Sequence, residues 1–207
     1  MILDQEEQCR PLIVWFITDN KPGHLNQLKG LESRLSVHAQ IQSKWLSASE
    51  SAVTWLDILF RRLPDIDLNT LRPDIVIGAG HRTHKHVLAM KRHFGCFSVL
   101  LMKPSLPVWW FDAVIIPEHD NPAVSDRVLV TTGVLNNVVP QKRSAESVNP
   151  VGKGLILIGG ESKHYEWDNE SVLQQLEQVV MGSKGVNEWV LSNSRRTPDT
   201  FLSLLKE

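Results

Sequence analysis

A parallel α/β fold is predicted by three features of this sequence. Short runs apolar throughout recur along the chain, segments of helical periodicity separate them, and nearly every run ends in glycine, polar or ionisable residues. The first run, "PLIVWFI", gives way at once to "TDNKPGHLNQLKGL", Thr18 to Leu31. A buried strand that ends in Asp, Asn, Lys, Pro, Gly and His before turning into a helix points to something polar meeting the chain there.

The elements follow in order. Leu12–Ile17 is rich in β-branched and aromatic residues and reads as a strand; Leu25–Leu35 has helical periodicity; Ala39–Trp45 is a weaker strand; and Ala52–Arg62 is a less regular helix. Strands are then predicted at Asp74–Gly80, Cys96–Met102, Asp112–Pro117 and Arg127–Gly133, with a helix at Thr83–Phe94 between the first two. The alternation describes a Rossmann-like βαβ series over residues 1–136. Residues 137–153, polar and punctuated by Pro140 and Pro150, read as a linker. From residue 154 to 207 the pattern restarts: "GLILIGG" is a strand running into a glycine turn, Asn169–Met181 a helix, "EWVLSNS" a second strand, and Pro198–Leu205 a further helix. Two parallel strands make a poor domain. The expectation is a second Rossmann-like domain that is incomplete or completed by a partner chain.

Composition sets limits. A formal net charge of -1 over 207 residues gives no global field to recruit nucleic acid or an anionic surface, so electrostatic recognition has to be local. The two cysteines, Cys9 and Cys96, have neither disulfide-scaffold nor zinc spacing, which fits a reducing cytoplasm. The acidic start "MILDQEEQCR" is unlike a signal peptide, and no apolar run approaches the roughly 18 residues of a membrane span. The expected location is cytoplasmic.

In open α/β sheets ligands sit at the carboxyl ends of the strands. There this sequence places Asp19 to His24, "GAGHRTH" (Gly78 to His84), Lys103-Pro104, Glu118-His119-Asp120 and Thr131 to Gly133, then Gly159 to Ser162 and Ser192 to Thr197. Each has a plainer reading: Gly23 and Gly80 as turn residues, Asp19 and Thr83 as helix caps, a lone histidine as structural. The accumulation favours a site, because His24, His81, His84 and His119 put four of the eight histidines near one edge. "GAGHRTH" offers backbone N–H groups, an arginine for an oxyanion and histidines that titrate near neutrality, yet it is neither a Walker A nor a GxGxxG. Gly159 and Gly160, with Ser162 and Lys163 as donors, read as an anion turn or as an ordinary loop. "SRRTP" sets two guanidinium groups where a helix begins. No HExxH, carboxylate cluster or GxSxG elbow is present, and His84 and His86 diverge on a helix, so neither a metal nor a serine nucleophile is expected.

Two aromatic features lie off this rim. "AVTWLDILFRRLP" reads as a buried helix ending in basic residues or as one resting on a membrane surface. Trp109 and Trp110, adjacent in "PVWWFD", cannot both bury on one face of an extended segment, so one should line a cleft or interface.

The ordered motifs "DNKPGHLNQLKGL", "GAGHRTH", "IIPEHD", "TTGVLN", "LIGGESKHYEWD" and "SNSRRTP" resemble the mitochondrial fission ELM family, whose bacterial members resemble GT-B glycosyltransferases. The resemblance implies two Rossmann-like domains facing a cleft, GT-B-like, with a nucleotide-sugar mainly in the C-terminal one and an acceptor in the N-terminal one. By that analogy Lys21, Gly23, His24, Asn26, Gly80, His81, Arg82 and His119 line the acceptor wall, with a histidine or Asp120 as base. Gly159, Gly160, Ser162, Ser194, Arg195, Arg196 and Thr197 begin the donor wall, holding diphosphate without a metal or other cofactor. The expected function is sugar transfer from a nucleotide-sugar to an acceptor, including a lipid-linked one, by a protein that can sit peripherally at the inner face of the membrane. The alternative is a non-catalytic scaffold acting through protein or membrane binding. A nucleotide-sugar epimerase is disfavoured, because the first loop lacks the glycine spacing NAD requires.

Overall fold

A computed structural model describes residues 10–63, 71–139, 152–162 and 166–205. Residues 140–151 of the expected linker, and Lys163, lie outside the described residues. The chain divides into two compact units, Met1–Val139 and Pro140–Glu207.

The first unit is a six-stranded parallel sheet built from β1 (Leu12–Thr18), β2 (Ile41–Ser47), β3 (Ile75–Ala79), β4 (Phe97–Leu101), β5 (Ala113–Pro117) and β6 (Val128–Thr131). Its order is β2-β1-β3-β4-β5-β6. β1 therefore sits between β2 and β3, with Val14 beside both Ser43 and Ile75. The chain winds outward through α1 (Pro22–His38) to β2, then reverses to β3 on the other side of β1. This reversal makes β1/β3 the topological switch point, where neighbouring crossovers part and leave a crevice at the carboxyl ends.

Alternation along the strands fills both faces. Val14, Phe16, Ile77, Ala79, Val99 and Leu101 pack with Leu28 of α1, and Leu135 returns onto the same cluster. Trp15, Ile17, Val76, Leu100, Val114 and Ile116 pack with Val87 and Met90 of α3 (His84–Phe94) and Ile58 of α2 (Trp55–Leu59). Aspartates at the opposite, amino ends pin neighbouring strands: Asp74 accepts the Ile13 N–H at 2.9 Å and Asp112 the Ser98 N–H at 2.9 Å.

Several bounds differ from those the periodicity predicts. α1 starts three residues early, because Pro22 suits the first helical turn, so Gly23 and His24 are helical rather than loop residues. α2 is only five residues long: Thr54 and Asp57 form a capping box at its start, and Arg61, at φ 54, turns the chain away just after it. Thr83 does not cap α3 through its side chain; its hydroxyl donates to the Gly80 carbonyl at 2.8 Å.

The second unit contains β7 (Gly152–Ile158), α4 (Asn169–Gly182), β8 (Val186–Asn193) and α5 (Asp199–Leu204). β7 begins inside the segment expected to be linker, and it pairs in parallel with β8. Asp168 caps α4 by accepting the Ser171 N–H at 3.0 Å.

Candidate functional site

At the β1/β3 switch point the chain leaves β1 through Asp19, whose side chain is 1% exposed. Oδ1 of Asp19 meets Nδ1 of His24 at 2.8 Å and also accepts the Lys21 N–H at 3.2 Å. Burial alone would push the Asp19 carboxyl up. The His24 hydrogen bond, the Lys21 N–H and the positive charges of both side chains outweigh it and hold the carboxyl below its ordinary value of 3.8. An ionised carboxylate only accepts, so the proton of neutral His24 resides on Nδ1 and Nε2 keeps its lone pair. Among the described residues no protein group bonds Nε2.

Gly80 makes this pairing possible. It ends β3 at φ 91, and a Cβ there would lie 2.4 Å from His24 Nδ1 and 2.8 Å from Asp19 Oδ2. That Oδ2 is buried without a hydrogen-bond partner among the described residues, and the Lys21 ammonium stands 3.9 Å away. An unsatisfied buried oxygen on a charged group is uncommon enough to need a reason.

A cleft of about 370 Å³ opens beside the pair, lined by His24, Gly80, His81, His84, Met102 and Asp120 together with Leu101, Lys103 and Pro104. Burial, and then the neighbouring His81, push His84 down to about 4, so it enters the wall as a neutral imidazole at pH 7. Its Nδ1 lies 3.3 Å from Ser105 Oγ. Among the described residues four non-glycine positions have left-handed backbone, and three of them follow strands on this rim: Asn20, Met102 and Asn121. Such conformations are costly and cluster at functional sites.

The structure thus gathers His24, Gly80, His81 and Asp120 of the expected acceptor wall. Lys21 stands exposed at the start of α1, Gly23 faces open space, and Asn26 and Arg82 are exposed outside the cleft lining. His119 is exposed, its Nε2 3.8 Å from Asp120 Oδ1. Asp19, His84 and Lys103 were legible as rim residues without a catalytic or binding assignment; the cap reading of Asp19 does not hold, since Lys21 is the N-cap of α1. Among the described residues no group of three or more His, Cys, Asp or Glu side chains is placed to hold a metal.

In the second unit the loops after β7 and β8 bind each other. Ser194 and Thr197 both donate their hydroxyls to the Gly159 carbonyl, Thr197 Oγ1 accepts the Ser194 N–H at 3.0 Å, and the Glu161 N–H reaches the Arg196 carbonyl at 3.1 Å. Gly160 permits that approach, since a Cβ would lie 2.0 Å from the Arg196 oxygen. Gly159 and Gly160 do not start a helix, α4 beginning only at Asn169. Arg195 and Arg196 are exposed side chains beside this brace, ahead of the short α5, and Ser162 lies two residues past Gly160.

Fold and cleft define an α/β protein with a polar site at the switch point of a Rossmann-like sheet. The chain belongs to the family described as Mitochondrial fission ELM1, whose profile matches residues 22–207. It is 25% identical over 240 residues to the uncharacterized protein RP120 of Rickettsia prowazekii (strain Madrid E), covering 93% of this chain and 67% of that one. Among solved structures it resembles one described as the S. aureus MnaA-UDP co-structure, at a TM-score of 0.44 and 11% identity, over 95% of this chain and 66% of the other. A likeness that distant carries no conclusion about function. The chain spans about two thirds of the length of each.

Proposed function

We propose that this chain takes part in sugar transfer from a nucleotide-sugar, and that the cleft at the β1/β3 switch point receives the acceptor hydroxyl. The Asp19–His24 pair carries the reading. Nε2 of His24 takes the hydroxyl proton, the freed oxygen forms a bond to the anomeric carbon, and the bond from that carbon to the diphosphate breaks, its electron pair leaving with the nucleoside diphosphate. Asp19 holds the imidazole in the reactive tautomer and balances the imidazolium that results. Asp19 Oδ2, without a hydrogen bond among the described residues, supports the reading, because a ligand hydroxyl or a closer approach of the Lys21 ammonium, now 3.9 Å away, would supply one. In the second unit Arg195 and Arg196 supply cations of the kind a departing diphosphate needs, while the hydroxyls of Ser194 and Thr197 serve the loop itself. This chemistry calls for no metal ion.

The test is release of nucleoside diphosphate from a panel of nucleotide-sugars, with and without a bacterial lipid extract as acceptor. His24→Gln should slow release about 100-fold or more with nucleotide affinity unchanged. Arg195→Ala with Arg196→Ala should weaken nucleotide binding, read by calorimetry. Unchanged affinity in that double variant would remove the donor role from these arginines.

A further inference from the structure

On the α2/α3 side of the first unit lies an apolar groove of about 540 Å³, lined by Trp55, Ile58, Leu59, Leu88, Trp109 and Trp110, with Lys91 and Arg92 at its margin. Three indoles build it: Trp55 meets Trp110 edge-on at 5.8 Å, and Trp110 meets Trp109 at 5.7 Å. These rings are not a satisfied core. Trp109 is 70% exposed, Leu59 59% and Trp55 46%, and Leu56 and Phe60 beside them are exposed too. A contiguous aromatic and aliphatic surface of this kind marks a contact site.

Its surroundings are cationic. Lys85 Nζ sits 5.1 Å over the Trp55 ring and the Arg62 guanidinium 5.4 Å over Phe60. Arg61 and Arg92 are exposed nearby in sequence and groove. Among the described residues none of Arg61, Arg62, Lys85 and Arg92 makes a salt bridge. The described acids beside them are engaged: Asp57 in the Thr54 capping box, near Arg62, and Asp112 with Lys91 at 2.9 Å. Indoles with an apolar body and a polar N–H, beside cations that form no salt bridge with a described acid, suit a boundary between hydrocarbon and anionic headgroups. A protein partner would also bury the aromatics, but the cations at the groove and beside Trp55 and Phe60 favour a uniformly anionic face.

We infer that this face docks the chain on an anionic lipid surface, Trp55, Leu59 and Trp109 entering the headgroup boundary while Arg61, Arg62, Lys85 and Arg92 meet the headgroups. The inference does not depend on the transferase reading. It does give that reading a geometry: α3 carries His84 in the cleft wall and Leu88, Lys91 and Arg92 in the groove, one to two turns further on, roughly 6–12 Å along a helix axis. A lipid-linked acceptor held at such a surface has its polar end close to the cleft.

The experiment is flotation of the full chain with vesicles of phosphatidylcholine alone and of phosphatidylcholine mixed with phosphatidylglycerol. The variants are Trp109→Ser with Leu59→Ser and, separately, Arg61→Glu with Arg92→Glu, each checked for native circular dichroism. All four positions are exposed, so folding should survive. The chain should float with the anionic vesicles, and each variant should lower partitioning about tenfold or more. Loss in the charge variant alone, with the apolar variant floating normally, would overturn the docking geometry. So would failure of the folded chain to float with either vesicle, or concentration-dependent self-association that the apolar variant abolishes without any vesicle binding. Nucleoside diphosphate release is a separate readout, so either proposal can fail without the other.

Discussion

The rims of the two units are written in the same residues and do different work. Both follow parallel strands with glycine, hydroxyl and basic side chains. In the second unit the hydroxyls of Ser194 and Thr197 close on the Gly159 carbonyl, so the polar groups tie one loop to another. In the first, Gly80 lets Asp19 and His24 meet beside a cleft, yet among the described residues His24 Nε2 and Asp19 Oδ2 have no hydrogen-bond partner. Saturated polar groups hold a structure together, whereas a buried group left unsatisfied needs a reason, and the proposed acceptor supplies one. The sheets differ in parallel: Val14 to Ile17 are fully buried in the first, while Leu155 and Leu157 are exposed in the second.

Substitutions can break this comparison. The largest effect should come from Phe16→Ala, which removes a ring stacked on Trp45 at 4.9 Å in the filled face of the first sheet and should cost about 3–5 kcal/mol in denaturant unfolding. Leu157, 72% exposed, should change stability by no more than about 0.5 kcal/mol on replacement by alanine. A cost for Leu157→Ala near that of Phe16→Ala would erase the contrast. Gly80→Ala forces a Cβ against His24 and Asp19 at φ 91, and should cost about 2–4 kcal/mol from backbone strain and displacement while abolishing the cleft activity.

A pH effect comes next. Unfolded, His84 titrates near 6.5; folded, near 4. Between these values the unfolded chain binds a proton that the folded chain does not, so stability falls as pH drops from about 6.5 toward about 4 and that loss then levels off. The contribution is on the order of 2–3 kcal/mol, and unfolding of His84→Gln across this range should show a flatter slope. Asp19 acts at lower pH with the opposite origin: its folded carboxyl lies below 3.8, so its stabilisation is present above that value and fades as pH falls further, a fading that Asp19→Asn should remove. A smaller effect than that of His84 is expected in the second rim. Thr197→Val should loosen the brace by about 1–2 kcal/mol, seen as faster amide exchange at Ser194 and Glu161, with nucleotide affinity unchanged.

Most of the first sheet was legible because strands buried on both faces must be apolar at every position, and residues 12–17 are. Strand order was not: no residue pattern announces that β1 lies between β2 and β3, and that reversal is what places Asp19 against Gly80. The polar rim could be read as a set, but the division of labour within it could not. His24 and His119 are both histidines after a strand; a buried carboxylate orients the first, and the second points into solvent. The spacing from Asp19 to His24 gives no warning either, since they meet only because Pro22 starts the helix early. The Ala52–Arg62 segment offered burial or a surface, and the structure divides it, burying Ile58 and exposing Trp55, Leu59 and Phe60.

The account stands most directly on His24. Nucleoside diphosphate release should be measured side by side for the wild-type chain, His24→Gln and Asp19→Asn, with nucleotide affinity determined for each. The account predicts release by the wild type, a loss of about 100-fold or more in His24→Gln, a smaller loss in Asp19→Asn, and unchanged affinity in both. Equal rates in wild type and His24→Gln, or no release from any nucleotide-sugar by the folded wild-type chain, would contradict it.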